Sequence, residues 1–301
     1  MNNLTMNKKE WLLLFLLSLF WGGSFFFNEL ALVELQPFAV VLGRTTVGAA
    51  MLLAIVYASG LQMPSSPRIW GSFAVMALIN NLVPFSLIVW GQQTIDSGLA
   101  SILNATTPLF TVILAHFLTG EERLTPGRVI GIFLGLLGVV VLVGPDALSG
   151  IKSEWVAQLA VLGASCSYAL AGIYGRRFRK MASMVPAAGS LTAAAVMTCP
   201  LLLLSGQVPP ALPGLRTGAA LLGLALFGTT LAYLVYFRLL ATVGATNVLL
   251  VTFLIPVSAL LLGVMVLAEP MEWTLLAGMV LVFAGLAAVD GRLLRSFFEQ
   301  T

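Results

Sequence analysis

The sequence predicts an all-α, polytopic membrane protein: ten transmembrane helices arranged as two inverted five-helix repeats. Three observations carry this prediction. First, 59% of the 301 residues are hydrophobic and only 9% are charged, with a mean hydropathy of +1.01. A soluble domain carries about a quarter charged residues, so this composition cannot build a water-exposed surface. Second, hydropathy divides the chain into ten apolar runs, each near the roughly 20 residues needed to cross a hydrocarbon core about 30 Å thick. The remainder holds no soluble domain, which excludes a receptor with an ectodomain, a tethered soluble enzyme and a cytosolic NTPase module. Third, the two halves of the chain echo one another.

In order, the spans are expected at 11–30, 37–58, 69–91, 97–119, 126–143, 154–174, 184–204, 215–237, 245–268 and 273–289. The first follows Lys8 and Lys9, as a secretory signal would, but no A-x-A-like cleavage site follows it, so it reads as an uncleaved helix. Strands of a membrane barrel alternate apolar and polar residues, whereas 139–143 and 201–204 are apolar throughout. Cys166 and Cys199 both fall inside spans and read as packing residues. With one histidine and no H-E-x-x-H pattern, no metal site and no cofactor are expected.

The net charge is +3 and the pI about 9.1, but the basic residues sit in the connections, where they record orientation and not nucleic-acid binding. With the amino terminus inside, 12 of the 15 Lys and Arg fall on inner segments, among them Arg68, Arg123, Arg128, Arg176, Arg177, Arg179, Lys180 and Arg238. Outer segments hold Lys152 and Arg216, and Arg44 lies within the second span. Both termini are therefore expected in the cytoplasm of a multi-pass protein of the bacterial inner membrane.

The internal echo has a register. A shift of 148 residues lays Pro108 on Pro256, Glu121 on Glu269 and Phe85 on Tyr233, and a shift of 147 lays Ser18 and Trp21 on Ser165 and Tyr168. Residues 1–148 and 149–301 are read as the two repeats. Five is odd, so the second copy must insert in the opposite sense to the first. Inverted repeats recur in secondary transporters, because exchanging the conformations of two similar halves turns an inward opening into an outward one.

The stretch Leu19-Phe20-Trp21-Gly22-Gly23-Ser24-Phe25, then Pro37 and Arg44, then Pro108 with Gly120-Glu121-Glu122 echoed at Pro256 with Ala268-Glu269-Pro270, resembles the drug/metabolite transporter superfamily. Within it the chain is similar to the EamA-type ten-helix exporters, and most similar to bacterial exporters of aromatic and other amino acids. The resemblance implies a central cavity lined by helices one, three, four, six, eight and nine, with five and ten peripheral. Arg44 matches a recurring second-helix position of that family.

A solute path needs inward-facing polar or aromatic side chains near mid-membrane, preferably where a helix is interrupted. The fourth span offers Ser97, Ser101, Asn104, Pro108 and Thr111 on one face. Serines and threonines in spans also bond back to their own carbonyls, so only Asn104 asks for a cavity by its chemistry. On the third span Asn80 and Asn81 precede Pro84, whose missing N–H frees a carbonyl. Two readings stand there: a subsite for a carboxylate or ammonium, and a kink satisfied by its neighbours. Trp21 and Ser24 on the first span, Tyr168 on the sixth, and Thr230 and Tyr233 on the eighth are candidates for the substrate wall. Pro84, Pro108 and Pro256 are candidate flexures. Arg44 is a cation inside the membrane, read either as a receptor for an anionic group or as a structural partner of Glu29, Glu34 or backbone carbonyls.

The expectation is an exporter of small amphipathic metabolites, chiefly amino acids including aromatic ones, acting as a monomer by alternating access. No carboxylate falls in the middle of a span, so facilitated transport is expected over proton antiport. An exporter of drugs or nucleosides is the alternative of the same fold. An intramembrane serine protease built on Ser165 has only His116 as a base, close to the inner surface. A non-transporting scaffold is the remaining alternative.

Overall fold

The computed structural model describes residues 6–119, 125–144 and 153–290; Glu121, Glu122, Arg123 and Lys152 lie outside them. Ten helices are present among the described residues. They are α1 (Lys8–Leu32), α2 (Pro37–Ala58), α3 (Pro67–Gly91), α4 (Ser97–Thr119), α5 (Pro126–Val143), α6 (Ser153–Gly175), α7 (Met184–Leu204), α8 (Leu215–Gly244), α9 (Val251–Leu267) and α10 (Trp273–Val289). Eight are long and apolar enough to cross a membrane, and α9 and α10 are shorter.

Local chemistry sets the ends. Asn7 Oδ1 accepts from the backbone N–H groups of Lys9 and Glu10, and Glu10 Oε2 accepts from Asn7 N, a reciprocal cap that starts α1. Prolines occupy the first turns of α2, α3 and α5, where no N–H is needed. The eighth span is longer than the sequence suggests: Arg238, read as the start of a connection, is an exposed side chain on a helix that runs on until Gly244, at φ +77°. An arginine stem can lie along apolar surface while its head reaches water, so Arg238 need not end the helix.

The packing obeys an exchange rule. α1 packs on α9 and α8, and in the second half α6 packs on α4 and α3. α3 packs on α7 as α8 packs on α2, while α2·α7 and α5·α10 are pairs of equivalent helices. Swapping the halves reproduces the pattern, as expected of two related five-helix units in opposite senses. Serines mark the same relation: Ser165 Oγ (α6) donates to Leu103 O (α4), and Ser258 Oγ (α9) donates to Ser18 O (α1).

Two apolar cores result. One joins α1, α4, α6, α9 and the α5·α10 pair through residues such as Leu17, Leu103, Val161 and Ala259. The other joins α2, α3, α7 and the first part of α8 through Leu52, Phe73, Leu191 and Leu224. Tyr168 packs against both.

The glycines of α5 and α10 form a packing seam inside the protein. A Cβ on Gly285 would stand 2.5 Å from Gly135 N, and one on Gly138 would stand 2.9 Å from Gly278 O. Backbones in contact are how apolar helices gain dispersion where lipid offers no hydrophobic drive. We expect Gly285→Leu to cost about 1–3 kcal/mol or more by overpacking and to lower the melting temperature in detergent. Gly172→Ala, where a Cβ meets open space, is expected to be neutral or stabilising.

Candidate functional site

Three spans are widened into π turns: α3 at Leu78–Leu82, α8 at Leu226–Leu231 and α9 at Gly263–Leu267. The first two superpose under the 148-residue shift, so both halves carry the same irregularity at equivalent depth. A π turn leaves backbone groups poorly matched, and such turns gather at functional sites. In α3, Val83 N reaches back five residues to Leu78 O. In that register the next N–H would serve Ile79 O, but residue 84 is proline. Ser167 Oγ, from α6, donates to Ile79 O at 2.7 Å instead. In α8, Thr230 Oγ1 donates to Ala225 O at 2.9 Å and Thr229 Oγ1 to Leu224 O at 3.2 Å, side chains completing what the widened backbone does not.

The candidate site lies where these turns meet. Asn80 and Asn81 donate through Nδ2 to the hydroxyl of Tyr233 at 3.3 and 3.5 Å, tying α3 to α8. Arg44 of α2 donates from Nε to Thr229 Oγ1 at 2.9 Å and from Nη2 to Gly228 O at 3.2 Å, with its guanidinium 3.8 Å above the ring of Phe85. The phenols of Tyr168 and Tyr233 lie within reach of its charge. Of the structural partners considered for Arg44, the backbone carbonyl is present and the acids are engaged elsewhere. Glu29 Oε1 accepts from Gln92 Nε2, and Glu34 Oε2 accepts from Gly214 N. An aromatic chain continues from Tyr233 to Phe237, Tyr236 and Trp21, with centroids 5.3–6.0 Å apart.

The sequence-derived candidates divide. Asn80, Asn81, Tyr233, Arg44, Tyr168 and Trp21 come together along the seam between the two cores. Asn104 marks the end of the first half of α4, before a break at 105–106, and its backbone oxygen accepts from Thr107 and Ser165. Its side-chain Oδ1 is buried with no partner. Ser24, Ser101 and Thr230 are buried, with hydroxyls spent on their own helices at Phe20 O, Gly98 O and Ala225 O. Pro84 follows the π turn of α3, Pro108 follows the break in α4, and Pro256 sits inside continuous helix. Reading the sequence missed Ser167, Gly228, Thr229, Phe85 and Tyr236. Pro84 advertised a missing donor, yet nothing in the sequence says that Ser167 of α6 supplies it.

At the end of the bundle away from the start of α1, polar side chains lace the helices together. Gln92 accepts from Asn28 and donates to Phe25 O, and Gln207 accepts from Phe38 N. Glu269 accepts from the first N–H groups of α4, those of Ser97 and Gly98, at 2.9 and 3.2 Å. A carboxylate is well placed there, because the helix N-terminus carries positive potential and unsatisfied donors. Beside it, a shallow depression of about 310 Å³ is lined by Glu29, Leu32, Val33, Gln92 and Gln93. Asp96, which precedes α4, has its carboxyl raised above the ordinary range by burial first, then by the charges of Glu269 and Glu272.

Ser167→Ala should destabilise the protein by about 1–3 kcal/mol, the cost of an orphaned buried carbonyl. Pro84→Ala restores a backbone donor, so in thermal melts the double variant should lose less than the sum of the two singles, and simple additivity would refute the pairing. A folded-state pKa raised above the unfolded value destabilises the ionised fold, and the penalty disappears as pH falls through the folded pKa. Asp96→Asn should therefore raise the melting temperature at about pH 7 and give little gain once wild-type Asp96 is protonated.

The comparisons with known proteins agree with this architecture. The profile of the EamA-like transporter family matches twice, at residues 8–144 and 155–289. The chain is 28% identical over 284 residues to YedA of Escherichia coli (strain K12), described as an uncharacterized inner membrane transporter, covering 93% of this chain and 90% of the relative. It is 24% identical over 270 residues to YoaV of Bacillus subtilis (strain 168), described as an uncharacterized transporter, covering 89% and 92% of the two chains. A solved crystal structure, described only as that of a protein, shares the fold with a TM-score of 0.69 at 22% identity, covering 98% of this chain and all of that one. With its duplicated helices, its paired π turns and a family match spanning both halves, this chain belongs to the EamA-like transporter family and is a multi-pass membrane transporter.

Proposed function

We propose that the protein is a secondary transporter exporting small amphipathic metabolites, chiefly amino acids including aromatic ones, across the bacterial inner membrane by alternating access. The observation that carries this reading is the seam itself. Amides, phenols and an indole sit at the meeting of two irregular, exchange-related helices, between two separate apolar cores. Such a lining offers hydrogen bonds to a polar head and ring faces to an apolar side chain.

Closure at the end away from the start of α1 is consistent with one face of the cycle, since Gln92, Gln207 and Glu269 hold neighbouring helices together there. Exposed Arg68, Arg177, Arg179 and Arg238 gather at the end where α1 begins, which supports a cytoplasmic location for it. Among the described residues no carboxylate lies in the middle of a span, which favours transport down a gradient over proton exchange.

Counterflow in proteoliposomes with labelled amino acids and nucleosides tests the proposal. Exchange of aromatic amino acids that survives collapse of the proton gradient is expected; exchange of nucleosides alone would assign another substrate class. Tyr233→Ala and Asn104→Ala should each reduce export by about tenfold while leaving membrane insertion intact. Unaltered flux in Tyr233→Ala counts against this site, and unaltered flux in Asn104→Ala against a part for the break in α4.

A further inference from the structure

Arg44 is buried, with 8% of its surface exposed, and all the partners that it makes are neutral: a threonine hydroxyl, a carbonyl and the face of Phe85. An intramembrane cation without a counter-charge is costly, and neutral contacts only partly offset its desolvation. Among the described residues no hydrogen-bond partner engages Nη1. Tyr233, which accepts from Asn80 and Asn81, still has its own O–H to donate. Close by, Asn81 Oδ1 is fully buried and accepts from nothing. The site thus holds spare donors on a positive group and a spare acceptor near them. An apolar ligand would satisfy none of these, and a simple cation would be repelled by the guanidinium.

A zwitterion satisfies both kinds. We propose that Arg44 is the specificity-determining residue for the carboxylate of the transported solute: the carboxylate docks on Nη1 and the Tyr233 hydroxyl, and the ammonium on the Asn81 amide oxygen. This inference rests on the amino-acid reading above and narrows it to solutes with a free α-carboxylate. It also gives the guanidinium a second task. The nitrogens not given to the solute hold the π turn of α8 at Gly228 and Thr229, so occupancy of the site is felt directly by that helix.

The test uses the full chain, purified and reconstituted, and compares counterflow of labelled phenylalanine with that of phenylalaninamide, which keeps the ring and the amine but has no carboxylate. Wild-type protein should prefer the acid by at least about tenfold, the scale of one charge-assisted hydrogen bond. Arg44→Gln should abolish that preference, Arg44→Lys should keep part of it, and Tyr233→Phe should raise the KM for phenylalanine several-fold while sparing the amide. If Arg44→Gln does not reach the membrane, the wild-type ratio and Tyr233→Phe decide. Equal transport of both compounds by the wild type, or a wild-type preference kept in Arg44→Gln, overturns the role of Arg44 while leaving amino-acid export standing. Exchange of neither compound by a wild type that does carry nucleosides overturns the amino-acid reading and this inference with it.

Discussion

Within hydrocarbon there is no water to satisfy a stray N–H or C=O, and this constraint organises the whole molecule. Regular helix needs no help, so most of the surface is plain: Phe133, Leu137 and Val140 of α5 simply meet lipid. Irregular helix must be completed by other groups, and three of the irregularities here are completed by side chains. Ser167 answers Pro84, Thr229 and Thr230 answer the π turn of α8, and Thr107 with Ser165 answers the break in α4. These repairs concentrate polar groups at mid-bundle, which is where a solute path needs them. Backbone repair thus coincides in place with the site that we propose.

That coincidence explains what the sequence could and could not disclose. The spans at 37–58, 97–119, 126–143 and 184–204 were legible to the residue, because a proline or polar break ends each apolar run. The reach of α8 to Gly244 was not, because a single arginine at the membrane boundary looks the same in a helix as in a loop. Asn80, Asn81 and Tyr233 stood out as polar groups at depth, and they are bonded to one another. The partners of Arg44 did not stand out, since Gly228 and Thr229 are ordinary residues whose importance comes from a widened turn. A π turn depends on what packs beside the helix, and one strand of sequence does not carry that.

The duplication is kept in the backbone of α3 and α8 and lost in charge. α3 and α8 share the π turn, but the position in α7 that the 148-residue shift matches to Arg44 is Thr192, whose hydroxyl bonds its own helix at Ala188 O. Phe85, under the guanidinium, corresponds to Tyr233, which carries the amide contacts instead. The halves therefore contribute a common scaffold and different chemistry. Among the described residues one lobe alone brings a cation to the seam, so the site that we propose is oriented and not symmetric.

The self-paired couples α2·α7 and α5·α10 have a geometric consequence. Exchanging the two halves maps each couple onto itself, whereas it carries α1·α9 onto α6·α4. In any rearrangement that swaps the shapes of the halves, the contacts within the couples are common to start and finish. Backbones locked at Gly131, Gly135, Gly138, Gly278 and Gly285 leave no clearance for one rod of the outer couple to slide along the other. That couple is therefore suited to serve as a fixed axle, with the remaining rods swinging about it.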